Sequence, residues 1–168
     1  MNSNEINIAV VGATGAAGGT ALELLLERNH PADKIVAMAS ERSAGKKIQY
    51  GDAELTIIHA TVDAFEGVDV ALFAAGGYVS RRLAHKAVEK GVFVIDKGSI
   101  FRMDPTIPLV VPEVNGDDIE WHPRNRFDSE LHEHSTCDGS RCVTQTISDY
   151  SGYRGDLPVG NWDRRCSQ

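Results

Sequence analysis

Residues 12–18 read Gly-Ala-Thr-Gly-Ala-Ala-Gly, a run of small side chains with glycine at every third position. They follow the apolar run INIAVV (residues 6–11) and precede TALELLLER (residues 20–28), in which Leu22, Leu25 and Leu26 recur at helical spacing. A glycine-rich turn between a strand and a helix lets the backbone approach a pyrophosphate closely. The start of the helix adds unpaired N–H groups and a partial positive charge. Gly12, Thr14, Gly15, Ala16 and Ala17 are therefore candidates to hold the phosphates of a dinucleotide. The spacing is GxxGxxG rather than GxGxxG, and a plain tight turn with close helix–sheet packing would use the same glycines.

A second group of candidates lies at the end of the next apolar run, KIVAMA (residues 34–39), where Ser40, Glu41, Arg42 and Ser43 follow in order. An NAD site places an acidic residue here, on the ribose 2′-hydroxyl. Arg42 with Ser40 and Ser43 offers charge-assisted donors suited to a 2′-phosphate, so the expected cofactor is NADP. Glu41 would oppose a phosphate and is expected to face solvent. The competing reading of Arg42 is a solvated loop charge.

These residues need a frame. Besides the two strands just described, short strands are expected within residues 48–58, around a Gly51-Asp52 turn. Further buried strands are read at residues 68–74 (VDVALFA), 92–96 (VFVID) and 109–111 (LVV). Helices are expected at residues 20–28, ended by Asn29-His30-Pro31, and at residues 80–90, closed by Gly91. Strands alternating with helices predict an α/β fold with a doubly wound, Rossmann-like parallel sheet.

The 168 residues carry a formal net charge of −7, which argues against a nucleic-acid binder. No apolar run approaches the roughly 20 residues that cross a bilayer, so no membrane association is expected. The N-terminal segment does not read as a signal peptide, and a cytoplasmic location is the expectation.

Several of these segments, taken together, resemble aspartate-semialdehyde dehydrogenase. The resemblance runs through VVGATGAAG, ASERSAGK (residues 39–46), FAAGG followed by Val79 and Ser80, VIDKGSIFRMD (residues 94–104) and PLVVPEVN (residues 108–115). It covers about 115 residues in the family's order, and ASERSAGK, FRMD and VPEVN are far more specific than the glycine loop.

The resemblance implies that Thr14, Gly15, Ala16 and Ala17 line the NADP pyrophosphate and that Arg42 and Ser43 take the 2′-phosphate. Gly76 and Gly77 would approach the far side of the cofactor, and Arg102 would bind the phosphate of an acyl-phosphate substrate. A guanidinium suits that task because it grips phosphate in bidentate fashion. The alternative for Arg102 is a loop ion pair with Asp96 or Asp104. Lys97-Gly98 departs from the small polar pair usual in the family.

The implied reaction is the reduction of L-aspartyl-4-phosphate to aspartate semialdehyde with NADPH. In it a cysteine thiolate displaces phosphate, a thioester accepts hydride, and a histidine handles the protons. This step leads to lysine, threonine, methionine and diaminopimelate. The intact family member is expected to be a homodimer or homotetramer. A relative of N-acetyl-glutamyl-phosphate reductase and a stand-alone NADP-binding module are the alternatives.

The pattern stops near Trp121. Residues 122–168 contain no Ala, Lys or Met, and their only aliphatic residues are Leu131, Val143, Ile147, Leu157 and Val159. The family requires a catalytic cysteine in an NPNC or ANC motif at this point, followed by a substrate domain of roughly 200 residues. Neither is legible. With suitable wobble bases, a one-base forward shift turns SELHEHSTCDG into ANCMSTQHVMA. The segment from Thr144 onward becomes HKPYQTTAVIVATYQSVTGTGAAA, with the Trp162 codon supplying a required glycine. The sequence therefore reads as an NADP-binding domain over residues 1–121 and a frameshifted, disordered tail over 122–168, with the shift between His122 and Asp128. Cys137, Cys142, Cys166, His132 and His134 do not make a closed ligand set, so no metal and no catalytic residue is assigned. Without its substrate domain the chain is expected to be inactive and to bind NADP weakly.

Overall fold

A computed structural model describes residues 6–111 together with the strand Phe127–Glu130. The elements are β1 (Ile8–Val11), α1 (Ala16–Glu27), β2 (Ile35–Ala39), β3 (Lys47–Tyr50), β4 (Ala53–Thr56), β5 (Ile58–His59), β6 (Val70–Phe73), α2 (Gly77–Glu89), β7 (Phe93–Asp96), β8 (Leu109–Val110) and β9 (Phe127–Glu130). Seven strands form one sheet in the order β5-β2-β1-β6-β7-β9-β8, and every pairing in it is parallel. Strands β3 and β4 pair separately as an antiparallel hairpin turned by Gly51 at φ 58°. The fold is thus the doubly wound, Rossmann-like sheet expected from the strand–helix alternation.

The inner strands β1, β6 and β7 are buried at every residue, because each face of the sheet meets its own core. Alternate residues divide between the two. Ile8, Val10, Leu72 and Ile95 join Leu22 and Leu25 of α1. Val11, Phe73 and Val94 join Leu83, Ala84 and Ala87 of α2 on the other face. Burying one such Leu or Phe side chain contributes about 1.5–3 kcal/mol.

Both helices begin earlier than their apolar spacing suggests: α1 at Ala16 rather than residue 20, and α2 at Gly77 rather than residue 80. The first turn of α1 is built of Ala and Gly, which carry no apolar periodicity to read, and that of α2 is Gly77-Tyr78-Val79-Ser80, in which Tyr78 is exposed and Ser80 is buried. Their extra turn brings both helix N-termini up to the C-terminal edge of the strands. The helix stops match their signals, with Asn29 at φ 58° after α1 and Gly91 at φ 87° after α2.

Strand β9 was not expected. It lies beyond Trp121 and inserts between β7 and β8, pairing Val94 with Phe127 and Val110 with Glu130. Only Phe127 in it is apolar, so its sequence carries no apolar run of the kind read as a strand elsewhere in the chain. The disordered tail predicted for residues 122–168 otherwise lies outside the described residues, as do Cys137, Cys142, Cys166, His132 and His134. No helix among the described residues is long and apolar enough to cross a membrane.

Candidate functional site

The strand order reverses direction between β1 and β6, and in open α/β sheets the crevice beyond such a point is where ligands bind. Two loops meet there. The Ala74 N–H donates to the Val11 carbonyl at 2.9 Å, which ties the end of β6 to the end of β1. On the other side Gly12 N–H and Ala13 N–H both donate to the Met38 carbonyl, at 2.8 and 3.0 Å, fixing the glycine loop to β2.

Glycine is required at two positions of this loop by space. Gly12 sits at φ 97°, and a β-carbon there would stand 2.9 Å from the backbone of Ala74 and Ala75. Gly18 is buried, and a β-carbon there would collide with the carbonyl oxygen of Gly12 and stand 2.7 Å from its carbon. The loop can therefore lie flat on the neighbouring strand end only with hydrogen at both positions. Thr14, Gly15, Ala16 and Ala17 form the exposed rim of the same loop.

Among the described residues no side chain caps either helix start. Gly15 caps α1 and Gly76 caps α2, with no side-chain hydrogen bond at either cap and no acidic residue in either first turn. The first N–H groups of a helix lack an α-helical partner, and each N-terminus carries about half a positive charge; in α2 the Val79 N–H turns back to the Gly76 carbonyl at 2.8 Å. Gly76 is exposed and nothing approaches its missing side chain within 4 Å. Two uncapped helix starts on one crevice are suited to an elongated anion such as a dinucleotide pyrophosphate.

The turn after β2 behaves unevenly. Residues Glu41–Ser43 form a single 3₁₀ turn, closed by the Ser43 N–H on the Ser40 carbonyl at 2.9 Å. Ser40 and Arg42 are exposed, Glu41 is exposed as expected, and Ser43 is buried within the turn. The turn begins at Ser40, two residues after Met38, whose carbonyl anchors the glycine loop, so the two candidate groups share the end of β2 as support.

Arg102 lies on the loop after β7. Its Nη2 donates to the Lys97 carbonyl at 3.5 Å, and its Nε is buried with no hydrogen-bond partner. It makes no ion pair with Asp96 or Asp104. Asp104 is instead engaged by Thr106, whose N–H and hydroxyl donate to Oδ1 at 2.9 and 2.6 Å. Those bonds hold the Asp104 carboxyl below its ordinary range. Among the described residues no carboxylate forms an ion pair with the Arg102 guanidinium.

Asp96 is the residue that sequence reasoning left without a role of its own. It ends β7, is fully buried, and accepts on Oδ1 from the Ser80 hydroxyl and the Gly98 N–H, both at 3.0 Å. Burial pushes its carboxyl up, against the opposing pull of those two donors and of Arg102. The signal available was the acid closing an otherwise apolar strand, VFVID. Among the described residues no three or more His, Cys, Asp or Glu side chains gather as a metal site would require.

Residues 7–122 match the family described as semialdehyde dehydrogenase, NAD binding domain. The aspartate-semialdehyde dehydrogenase of Bacillus subtilis is 50% identical over 117 residues, covering 70% of this chain and 34% of that protein. That of Aquifex aeolicus is 49% identical over 114 residues, covering 67% of this chain and 34% of that protein. The crystal structure of aspartate semialdehyde dehydrogenase II from Vibrio cholerae, complexed with ASA, superposes with a TM-score of 0.70 at 42% identity, covering 75% of this chain and 41% of that one. The chain spans about a third of the length of the relatives it matches in sequence. Through residues 7–122 it belongs to the semialdehyde dehydrogenase family, as that family's NAD-binding domain.

Proposed function

We propose that this chain is the NADP-binding part of an aspartate-semialdehyde dehydrogenase, the enzyme that reduces L-aspartyl-4-phosphate to aspartate semialdehyde. The observation that carries the reading is the meeting of two uncapped helix N-termini at the β1/β6 crevice, beside the turn that exposes Arg42. Gly12, Thr14, Gly15, Ala16 and Ala17 hold the pyrophosphate through backbone N–H groups. Ser40, Arg42 and Ser43 surround the 2′-phosphate, with the exposed Ser40 and Arg42 making the outer contacts. Gly76 and Gly77 let the cofactor lie close to the start of α2. Arg102 receives the phosphate of the acyl-phosphate substrate as a bidentate partner. NADPH, when bound, supplies the hydride.

The assignment of the aspartate enzyme over N-acetyl-glutamyl-phosphate reductase is supported by ASERSAGK and VPEVN and by the names of the sequence relatives. The family match ends at residue 122, where the apolar composition also ends. That coincidence supports the frameshift reading of residues 122–168, with the catalytic cysteine encoded in the alternative frame. The chain as written then binds NADP without turning over substrate, and the homodimer or homotetramer belongs to the frame-restored enzyme.

The test has two arms. Pure protein of this sequence is assayed for NADP reduction with aspartate semialdehyde and phosphate, and no turnover is expected. The frame-restored protein is expected to turn over this pair and not the N-acetyl-glutamyl pair. Turnover by the chain as written contradicts the inactive reading, and a restored protein that prefers the glutamyl substrate contradicts the aspartate assignment.

A further inference from the structure

The loop after β7 lies along α2 instead of standing apart from it. Gly98 N–H and the Ser80 hydroxyl of α2 share Asp96 Oδ1, each at 3.0 Å. Ile100 packs over the start of the helix, its Cδ1 lying 3.4 Å from the place a β-carbon on Gly77 would take. Phe101 meets the ring of His85 edge-on, with centroids 5.3 Å apart. Arg102 follows directly. The loop turns tightly over the carboxylate, for a side chain at Gly98 would stand 3.1 Å from Asp96 Oδ1 and 3.2 Å from Oδ2.

Two buried side-chain atoms among the described residues have no hydrogen-bond partner, and both belong to this unit: Asp96 Oδ2 and Arg102 Nε. Buried polar groups are nearly always satisfied, so two orphans, one at the end of β7 and one on the loop that follows it, ask for a reason. An arrangement completed by a ligand supplies one.

We propose that Asp96 is a positioning residue that staples the Arg102 loop to the first turn of α2, so that a phosphate anion at Arg102 and the dinucleotide at the helix N-termini raise each other's affinity. The proposal rests on the dinucleotide reading above. A cofactor lying on Gly76 and Gly77 steadies the first turn of α2, and with it Ser80 and the seat of Ile100. Through Oδ1 the same restraint reaches Gly98 and the loop that carries Arg102. The second ligand then meets a loop whose ordering is already complete. Linkage makes the effect equal in both directions. Both contacts of the carboxyl fall on Oδ1, so the link from α2 to the loop runs through a single atom.

The experiment titrates the full chain with NADPH, by its fluorescence, with and without inorganic phosphate at constant ionic strength. Phosphate also competes for the dinucleotide's own phosphate contacts, so Arg102→Ala supplies the baseline for competition alone. The quantity read is the ratio of the two NADPH affinities, which removes any change in basal binding. Relative to the baseline, the unaltered chain is expected to show phosphate strengthening NADPH about five-fold or more. Asp96→Asn, which keeps the shape and the Oδ1 acceptor, is expected to retain the ratio. Asp96→Ala is expected to fall to the baseline and Ser80→Ala to fall part of the way. A merely structural role would lower the melting temperature in these variants without moving the ratio. Should Asp96→Ala not fold, Ser80→Ala decides alone. A ratio in the unaltered chain equal to that of Arg102→Ala overturns the proposal, as does an undiminished ratio in Ser80→Ala. Failure of the unaltered chain to bind NADPH overturns the dinucleotide reading itself, and the staple with it.

Discussion

The Ser80 hydroxyl donates to Asp96 Oδ1 at 3.0 Å, joining the first turn of α2 to the end of β7 beneath the crevice. Both residues are fully buried. Removing the hydroxyl in Ser80→Ala is expected to destabilise the fold by about 1–2 kcal/mol, since the carboxyl loses a partner that water cannot replace. The urea midpoint measures it. An unchanged midpoint would mean the bond contributes nothing net.

Asp96 also sets a pH dependence. Burial raises its folded pKa above the unfolded value, against the lowering effect of Gly98, Ser80 and Arg102. Its contribution to stability is full below the unfolded pKa, about 3.9, and is lost as pH rises through the raised folded value. Asp96→Asn cannot ionise and escapes that loss. Urea midpoints of the two proteins, compared across the weakly acidic range, are expected to move in the variant's favour as pH rises. A constant difference would show that Asp96 ionises in the fold as freely as in the unfolded chain.

His30 gives the opposite slope. It is buried, and its Nε2–H donates to the Ile6 carbonyl at 2.9 Å, while the Tyr50 hydroxyl donates to the His30 carbonyl at 2.7 Å. Burial lowers the His30 pKa, more than the Ile6 carbonyl and Asp33 raise it. Its stabilisation is present above the unfolded pKa, about 6.5, and is lost as pH falls through the lowered folded value. His30→Gln is expected to be less stable at neutral pH by about 1 kcal/mol and to lose this part of the acid sensitivity. An identical acid slope in both proteins would exclude His30 as its source.

Two neighbouring glycines in α1 should respond oppositely to alanine. At Gly18 the new methyl group meets the Gly12 carbonyl, whereas at Gly19 nothing lies within 4 Å. Gly18→Ala is expected to destabilise by about 1–3 kcal/mol and to displace the phosphate loop, weakening NADPH. Gly19→Ala is expected to stabilise by about 0.5–1 kcal/mol through helix propensity alone. Thermal melts of the two variants separate crowding from propensity, and equal shifts would refute the packing account.

Much of this architecture was legible because it repeats. The apolar strands β1, β6 and β7 announce themselves as short unbroken runs, and Asn29 and Gly91 mark where the helices end. The start of α1 was misplaced because Ala16, Ala17 and Gly18 carry no apolar period, and that of α2 because Gly77 has no side chain and Tyr78 faces solvent. Their placement depends on how closely the backbone can approach a strand, which is a tertiary property. The glycine loop and the Arg42 turn were readable as candidates from residue type and position. The burial of Ser43 beside an exposed Ser40 was not, because the single 3₁₀ turn Glu41–Ser43 decides it. Asp96 stayed hidden as a site residue for a similar reason: a single acid at a strand end has meaning only once Ser80 and Gly98 are seen to share its oxygen.

The central claim is that the crevice binds NADP and that Arg42 reads its 2′-phosphate. The most direct test compares NADPH and NADH binding to the unaltered chain and to Arg42→Ala. The account predicts that the unaltered chain prefers NADPH, and that Arg42→Ala loses about 10- to 100-fold in NADPH affinity, the worth of a charge-assisted bond, while NADH is unaffected. Equal affinity for the two nucleotides in the unaltered chain, or equal losses for both in the variant, would contradict it.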